Sequence, residues 1–122
     1  MLTLPGTVRI WMAAEAVDLR RGFDGLAALV REVIGQEPLS GHLFCFRNKR
    51  GDRLKILFFA AGGFCLYYKR LERGTFFWPR APGPSRHWEL DSGELTLLLE
   101  GIDLRGARRR PRWEPAVRQL AR

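Results

Sequence analysis

Between Ser40 and Pro79 the chain alternates apolar, aromatic-rich runs with short turn segments, and this stretch limits the possible folds more than any other. The breaks fall at Arg47-Asn48-Lys49-Arg50-Gly51-Asp52, at Ala61-Gly62-Gly63 and at Glu72-Arg73-Gly74. Glycine with polar neighbours punctuates a chain in this way because it takes up turn conformations at little steric cost. Within the runs the alternation is period two, which places successive side chains on opposite faces of a sheet. Leu54, Ile56 and Phe58 share one face, with Arg53, Lys55, Leu57 and Phe59 on the other. Phe64, Leu66, Tyr68 and Arg70 alternate with Cys65, Tyr67, Lys69 and Leu71 in the next run. The pattern predicts that strands two to five form an antiparallel meander, with one face only partly covered.

Upstream, Val8-Arg-Ile-Trp-Met-Ala13 reads as a first strand with Val8, Ile10 and Met12 on one side. Asp18 stands where a helix starting near Leu19 or Arg20 would need a cap. Phe23, Leu26, Ala27, Val30, Val33 and Ile34 follow at helical spacing, giving a face to pack on the sheet. Gly22 and Gly25 weaken its first turns, Gly35 ends it, and Pro38 is a further stop. Downstream, Pro79, Pro82 and Pro84 mark a stiff linker. Asp91-Ser-Gly-Glu94 has the form of a capping box opening a short helix from Ser92 to Glu100, with Leu95, Leu98 and Leu99 as its apolar stripe and Gly101 as its end. The expected architecture is α+β: a small single domain over residues 1–104, with the meander on one main helix and a short second helix. Residues 105–122 form a basic tail, expected to be mobile unless a partner orders it.

Charge narrows the function. The formal net charge is +8 over 122 residues, and it is unevenly placed. Residues 1–41 carry four arginines against five acids; residues 42–80 carry nine Lys or Arg against two. Residues 81–104 carry one arginine against five acids, and residues 105–122 seven against one. Cations gathered in the strand-rich middle and the tail favour a polyanionic partner. No apolar run approaches the ~18–20 residues of a membrane span, and no signal-peptide pattern opens the chain, so a soluble cytoplasmic protein without a membrane role is expected. The two cysteines, Cys45 and Cys65, lie within apolar runs and lack metal-site spacing; they read as reduced core thiols.

The candidate nucleic-acid contacts follow from these clusters. Arg47, Lys49, Arg50, Arg53 and Lys55 surround one turn and are placed for phosphate contact, which releases counterions and makes binding salt-dependent. Lys69, Arg70 and Arg73 form a second cluster beside Tyr67 and Tyr68, where rings could stack bases while cations hold the backbone. Arg108, Arg109, Arg110 and Arg112 in the tail would add affinity without sequence readout. Each cluster also has a plain alternative: a solvated hairpin tip, tyrosines completing a core, an inert basic tail.

Catalysis finds little support. Asp18, Asp24, Asp52, Asp91, Asp103 and the glutamates could in principle hold Mg²⁺, but Asp18 and Asp91 are better explained as caps and Asp52 as a turn residue. His42 and His87 lack a nucleophile or acid partner at recognisable spacing, and no glycine-rich phosphate loop is present. The reading is that the chain is not an enzyme and needs neither cofactor nor metal, with a metal-dependent nuclease as the residual catalytic alternative.

Several motifs stand in a fixed order: Asp18-Leu-Arg-Arg-Gly-Phe-Asp-Gly-Leu26, Gly41-His-Leu-Phe44, Phe46-Arg-Asn-Lys-Arg-Gly-Asp-Arg-Leu-Lys-Ile-Leu57, Tyr68-Lys-Arg-Leu-Glu-Arg-Gly74, Trp78-Pro79 and Leu98-Leu-Glu-Gly-Ile-Asp103. Together they closely resemble the TnpB accessory proteins of the insertion-sequence family numbered sixty-six, the product of its second open reading frame, which are distinct from the RNA-guided nucleases of the same name. The resemblance runs from about Leu4 to Leu104. It implies a helper in transposition of a bacterial mobile element, with the element's separate transposase carrying the strand-transfer chemistry. It brings no catalytic residues with it. Where the family often has Trp-Asp before its glycine turn, this chain has Phe59-Ala60. Were that Asp a metal ligand, this chain would lack it; as a turn former it is made dispensable by Ala61-Gly62-Gly63.

The expected function is therefore an accessory factor for transposition that binds DNA, in particular the ends of the element, through the basic, aromatic-rich strand region. The alternative is a protein–protein adaptor for the transposase without direct DNA binding. The sequence leaves DNA specificity and oligomeric state open. An exposed aromatic and basic sheet face would favour nucleic acid, whereas a fully covered sheet would leave only loops and tail.

Overall fold

The computed structural model describes residues 7–79 and 83–101. The predicted strands two, three and four form as β2 (Leu43–Arg47), β3 (Arg53–Ala60) and β4 (Gly63–Arg70), each antiparallel to the next. The first strand, β1 (Ile10–Ala13), runs parallel to β2, with Trp11 opposite Phe44. A parallel neighbour requires a crossover, which α1 (Phe23–Leu29) supplies. β5 (His87–Leu90) pairs antiparallel with the other side of β1, giving the order β4-β3-β2-β1-β5. α2 (Ser92–Leu99) follows directly. The class is α+β, as expected from the sequence.

Period two in the strands becomes two cores, one on each face of the sheet. Ile10, Met12, Leu43, Cys45, Leu54 and Ile56 meet Leu95, Leu98 and Leu99 of α2. Ala13, Phe44, Phe46 and Leu57 meet Leu26, Ala27, Val30 and Ile34 from α1 and its continuation. Both faces of the central strands are thus covered, one by each helix. The edge strand β4 stays partly open, exposing Tyr67 on the α2 side and Tyr68 on the α1 side.

The caps behave as their chemistry requires. Asp91 accepts from the Glu94 amide at 2.7 Å while the Glu94 carboxylate accepts from the Asp91 amide at 3.2 Å, satisfying two donors that the first turn of α2 would otherwise leave unpaired. At the other end the Lys69 ammonium donates to the Leu99 carbonyl, placing a cation where the helix dipole is negative. Beyond Leu29, Val30–Ile34 continues α1 as a wider turn closed by the Gly35 amide on the Val30 carbonyl at 2.8 Å, and Gly35 takes φ +74°.

Three expectations are corrected. The helix starts at Phe23, not near Leu19, and its cap position is Gly22. Asp18 instead folds back on Arg20, accepting from its backbone amide at 3.0 Å and from its guanidinium at 2.8 Å. The carbonyls of Leu19 and Arg21 are held by the Lys55 ammonium and so are turned away from a helical path. Phe23 is 46% exposed and does not belong to the packing face. Finally, the meander stops at β4, and residues 75–79, which follow Gly74 directly, form no strand. The Phe76 amide pairs with the Gly51 carbonyl at 2.8 Å, Phe76 is buried, and the Trp78 indole donates to the Ala13 carbonyl at 2.9 Å. The segment is drawn across the β2–β3 turn instead of alongside β4. The fifth strand comes from beyond the proline-rich stretch, where the sequence reading placed a linker.

Ala61 is the one non-glycine residue with positive φ (+52°) among the described residues, and Gly62 follows at +82°. Tight hairpins of this hand favour Asn-Gly, because a Cβ in the left-handed region is strained. Ala61→Asn should raise stability by about 1 kcal/mol in urea unfolding. Lys55 is 8% exposed and tethers the Leu19–Arg21 segment. Lys55→Met should lower stability by about 1–3 kcal/mol, since the buried carbonyl of Leu19 then loses its donor.

Candidate nucleic-acid interface

The β2–β3 turn is an ordered platform. The Asn48 side-chain oxygen accepts from the amides of Gly51 and Arg53, each at 3.0 Å, while its amide nitrogen donates to Asp52 at 2.8 Å. The Leu71 amide donates to the Asp52 carbonyl at 2.8 Å, so the strand leaving β4 and the Phe76 segment brace the turn from outside. Gly51 takes φ +83°, a conformation that strains any residue with a Cβ. Lys49 and Arg50 are thereby held outward, both exposed. The Asp52 carboxyl lies below its ordinary pKa, chiefly because Asn48 donates to it, with Arg50 and Arg53 adding their charge.

Opposite this turn runs the Val17–Arg20 segment. The Val17 amide donates to the Arg47 carbonyl at 2.9 Å, joining the two walls at one end. The Asp18 carboxyl is pulled down to about 2, first by the Arg20 guanidinium and then by the Arg20 amide, so it is ionised at neutral pH. Between the walls lies an open cleft of about 690 Å³. Its floor is Lys55, Arg53 and Tyr68. Arg53 Nη1 donates to Tyr68 Oη at 3.0 Å, and Lys55 Nζ lies 4.8 Å from the centre of the Tyr68 ring. Five basic side chains line the cleft against two carboxylates, Asp18 and Asp52, so its field is positive.

The structure gathers Lys49, Arg50, Arg53, Lys55 and Tyr68 at this one site. Lys55 is committed to two carbonyls inside it, whereas Lys49 and Arg50 point to solvent. The other candidates are dispersed. Arg47 is half-buried, with its guanidinium 5.8 Å from the Trp78 ring and donating to the Ala14 carbonyl at 3.4 Å. Tyr67 lies on the opposite face of the sheet, and Lys69 serves α2. Arg70 pairs with Glu72 at 2.9 Å beside Arg53, and Arg73 is exposed. Arg108, Arg109, Arg110 and Arg112 lie outside the described residues, as does Asp103.

Arg20 and Asn48 are the site residues that the sequence reading missed. Reading Asp18 as a helix cap draws Arg20 into that helix; the Arg20-Arg21 pair ahead of Gly22 is the available signal. Asn48 gave only the ordinary mark of a turn former.

Both histidines and Cys45 sit in structural surroundings. His42 Nδ1 accepts from the Arg9 amide at 3.0 Å, and His87 packs edge-on against Trp11 with ring centres 5.6 Å apart. Cys45 is fully buried, and burial pushes its thiol up, away from the reactive thiolate. Among the described residues no three of His, Cys, Asp and Glu stand together to hold a metal, and no helix is long and apolar enough to cross a membrane.

Residues 8–109 match the protein family described as IS66 Orf2 like protein. Two proteins of Sinorhizobium fredii are similar over most of their length. "Uncharacterized protein y4hO" is 43% identical over 105 residues, covering 86% of this chain and 90% of that protein. "Uncharacterized protein y4jC" is 38% identical over 104 residues, covering 85% and 87%. No solved structure matches. With its ordered motifs, its α+β sheet and this match over most of its length, the chain belongs to the IS66 Orf2 like family, accessory proteins associated with insertion sequences.

Proposed function

We propose that this accessory protein serves transposition by binding DNA, with the β2–β3 turn and the Val17–Arg20 segment as its phosphate-holding rim. The observation that carries this reading is the braced turn that projects Lys49 and Arg50 beside a cleft already rich in arginine. Cations held on a rigid turn lose little conformational entropy on meeting phosphates, unlike the same cations on a loose loop. Asp18 and Asp52 are each occupied by neighbouring donors, and this lowers the repulsion they would offer a polyanion. The ends of the element and its transposase are the partners that such a helper would bring together.

The test is binding to a terminal-repeat duplex and a scrambled duplex across a salt series. Affinity should fall steeply with salt. Lys49→Glu and Arg50→Glu should each weaken binding and reduce the salt slope by about 0.9, the equivalent of one phosphate contact. Asp18→Asn should act in the opposite sense, raising affinity severalfold, because Arg20 is released toward the ligand while its backbone amide keeps an acceptor. Unchanged binding by both glutamate variants would remove the rim from the interface. No binding at low salt would assign the basic charge to the transposase instead, for which the open strand β4 with Tyr67 and Tyr68 is the available surface.

A further inference from the structure

Tyr68 combines two properties that rarely coincide. Its ring is tied at both polar points, with Arg53 donating to the hydroxyl at 3.0 Å and the Lys55 ammonium lying 4.8 Å from the ring centre. Yet the residue is 50% exposed and faces the cleft. An aromatic side chain usually becomes open by being mobile, or fixed by being buried. Here the buried ammonium stands over the ring while half of the residue's surface stays open to solvent. Arg53 uses one guanidinium donor on the hydroxyl and keeps others for a ligand.

We infer that the cleft takes a single unpaired nucleotide of DNA, its base stacked on Tyr68 and its phosphate held by Arg53 with Lys49 and Arg50 at the rim. This rests on the DNA-binding reading above and specifies which form of DNA the site accepts. The volume of about 690 Å³ is in the range of small-molecule pockets, about 300–1,000 Å³. A base within a duplex is stacked on both sides and would have to be unstacked before it could meet a ring on the cleft floor. An unpaired base reaches Tyr68 without that penalty. The second tyrosine does not extend the platform, because Tyr67 points to the other face of β4. The site therefore holds one base, and flanking nucleotides contact only cations.

The experiment uses the full chain, a labelled single strand, the blunt duplex of the same sequence, and the single strand carrying 2-aminopurine. Anisotropy reads binding, and 2-aminopurine fluorescence reads stacking. The single strand should bind more tightly than the duplex, with 2-aminopurine quenched in the complex. Tyr68→Leu should lose about tenfold in single-strand affinity, as removal of one base–aromatic stack does, and should lose the quenching. Tyr68→Phe keeps the ring but loses the Arg53 tie, so it should keep the quenching and lose less affinity than Tyr68→Leu, and Tyr67→Leu should change neither. Thermal unfolding of each variant confirms that the fold is kept. Binding of both DNA forms with equal affinity and no quenching would overturn the nucleotide pocket while leaving the DNA-binding reading intact. Binding of neither form at low salt would overturn both.

Discussion

An ammonium group removed from water must find oxygen or an aromatic ring, and Lys55 finds both. From the middle of β3 it donates to the carbonyls of Leu19 and Arg21 and lies against Tyr68. Three features of the molecule depend on this single group. It holds the Val17–Arg20 segment down on the sheet and so creates one wall of the cleft. It gives the Leu19 and Arg21 carbonyls, which lie ahead of α1, a donor outside any helix. It also steadies the ring on the cleft floor. A buried cation is expensive unless it is well paired, and here its partners are backbone oxygens that would themselves need donors.

The opposite wall has a comparable logic built from neutral groups. Asn48 satisfies two turn amides and one carboxylate, and Leu71 and Phe76 bond the same turn from outside. A hairpin tip with so many fixed bonds projects its cations at defined positions. Part of the basic character of this protein thus resides on a braced turn, where Lys49 and Arg50 stand beside Arg20 and Arg53. Neighbouring cations repel, and Asp18 and Asp52 relieve that repulsion within the site. They do so while bonded to Arg20 and Asn48, which leaves the outer face of the rim positive.

Much of the scaffold was legible along the chain. The glycine turns marked the β2–β3–β4 meander, and Asp91 with Glu94 marked the start of α2. The stripe of Leu95, Leu98 and Leu99 correctly pointed to a buried face. The site was legible in part: Lys49, Arg50, Arg53 and Tyr68 carried visible charge or aromaticity, and they do meet. Lys69 and Arg47 carried the same marks and are used in the interior, for a helix end and against Trp78. Nothing in residue type separates a cation facing solvent from one satisfying a buried carbonyl.

The sequence by itself determined the turns of the β2–β3–β4 meander, the cap of α2, the strand alternation and the placement of charge, because these follow from short-range backbone preferences and from periods of two or a few residues. Tertiary structure decided the parallel insertion of β1 beside β2, the recruitment of His87–Leu90 as the far edge strand, and the meeting of Lys55 with Leu19 across 36 positions. Those choices depend on which faces must be covered and which polar groups must be paired once the sheet assembles. Such requirements exist only between segments far apart in the chain, and the cleft between Val17–Arg20 and the β2–β3 turn is their product.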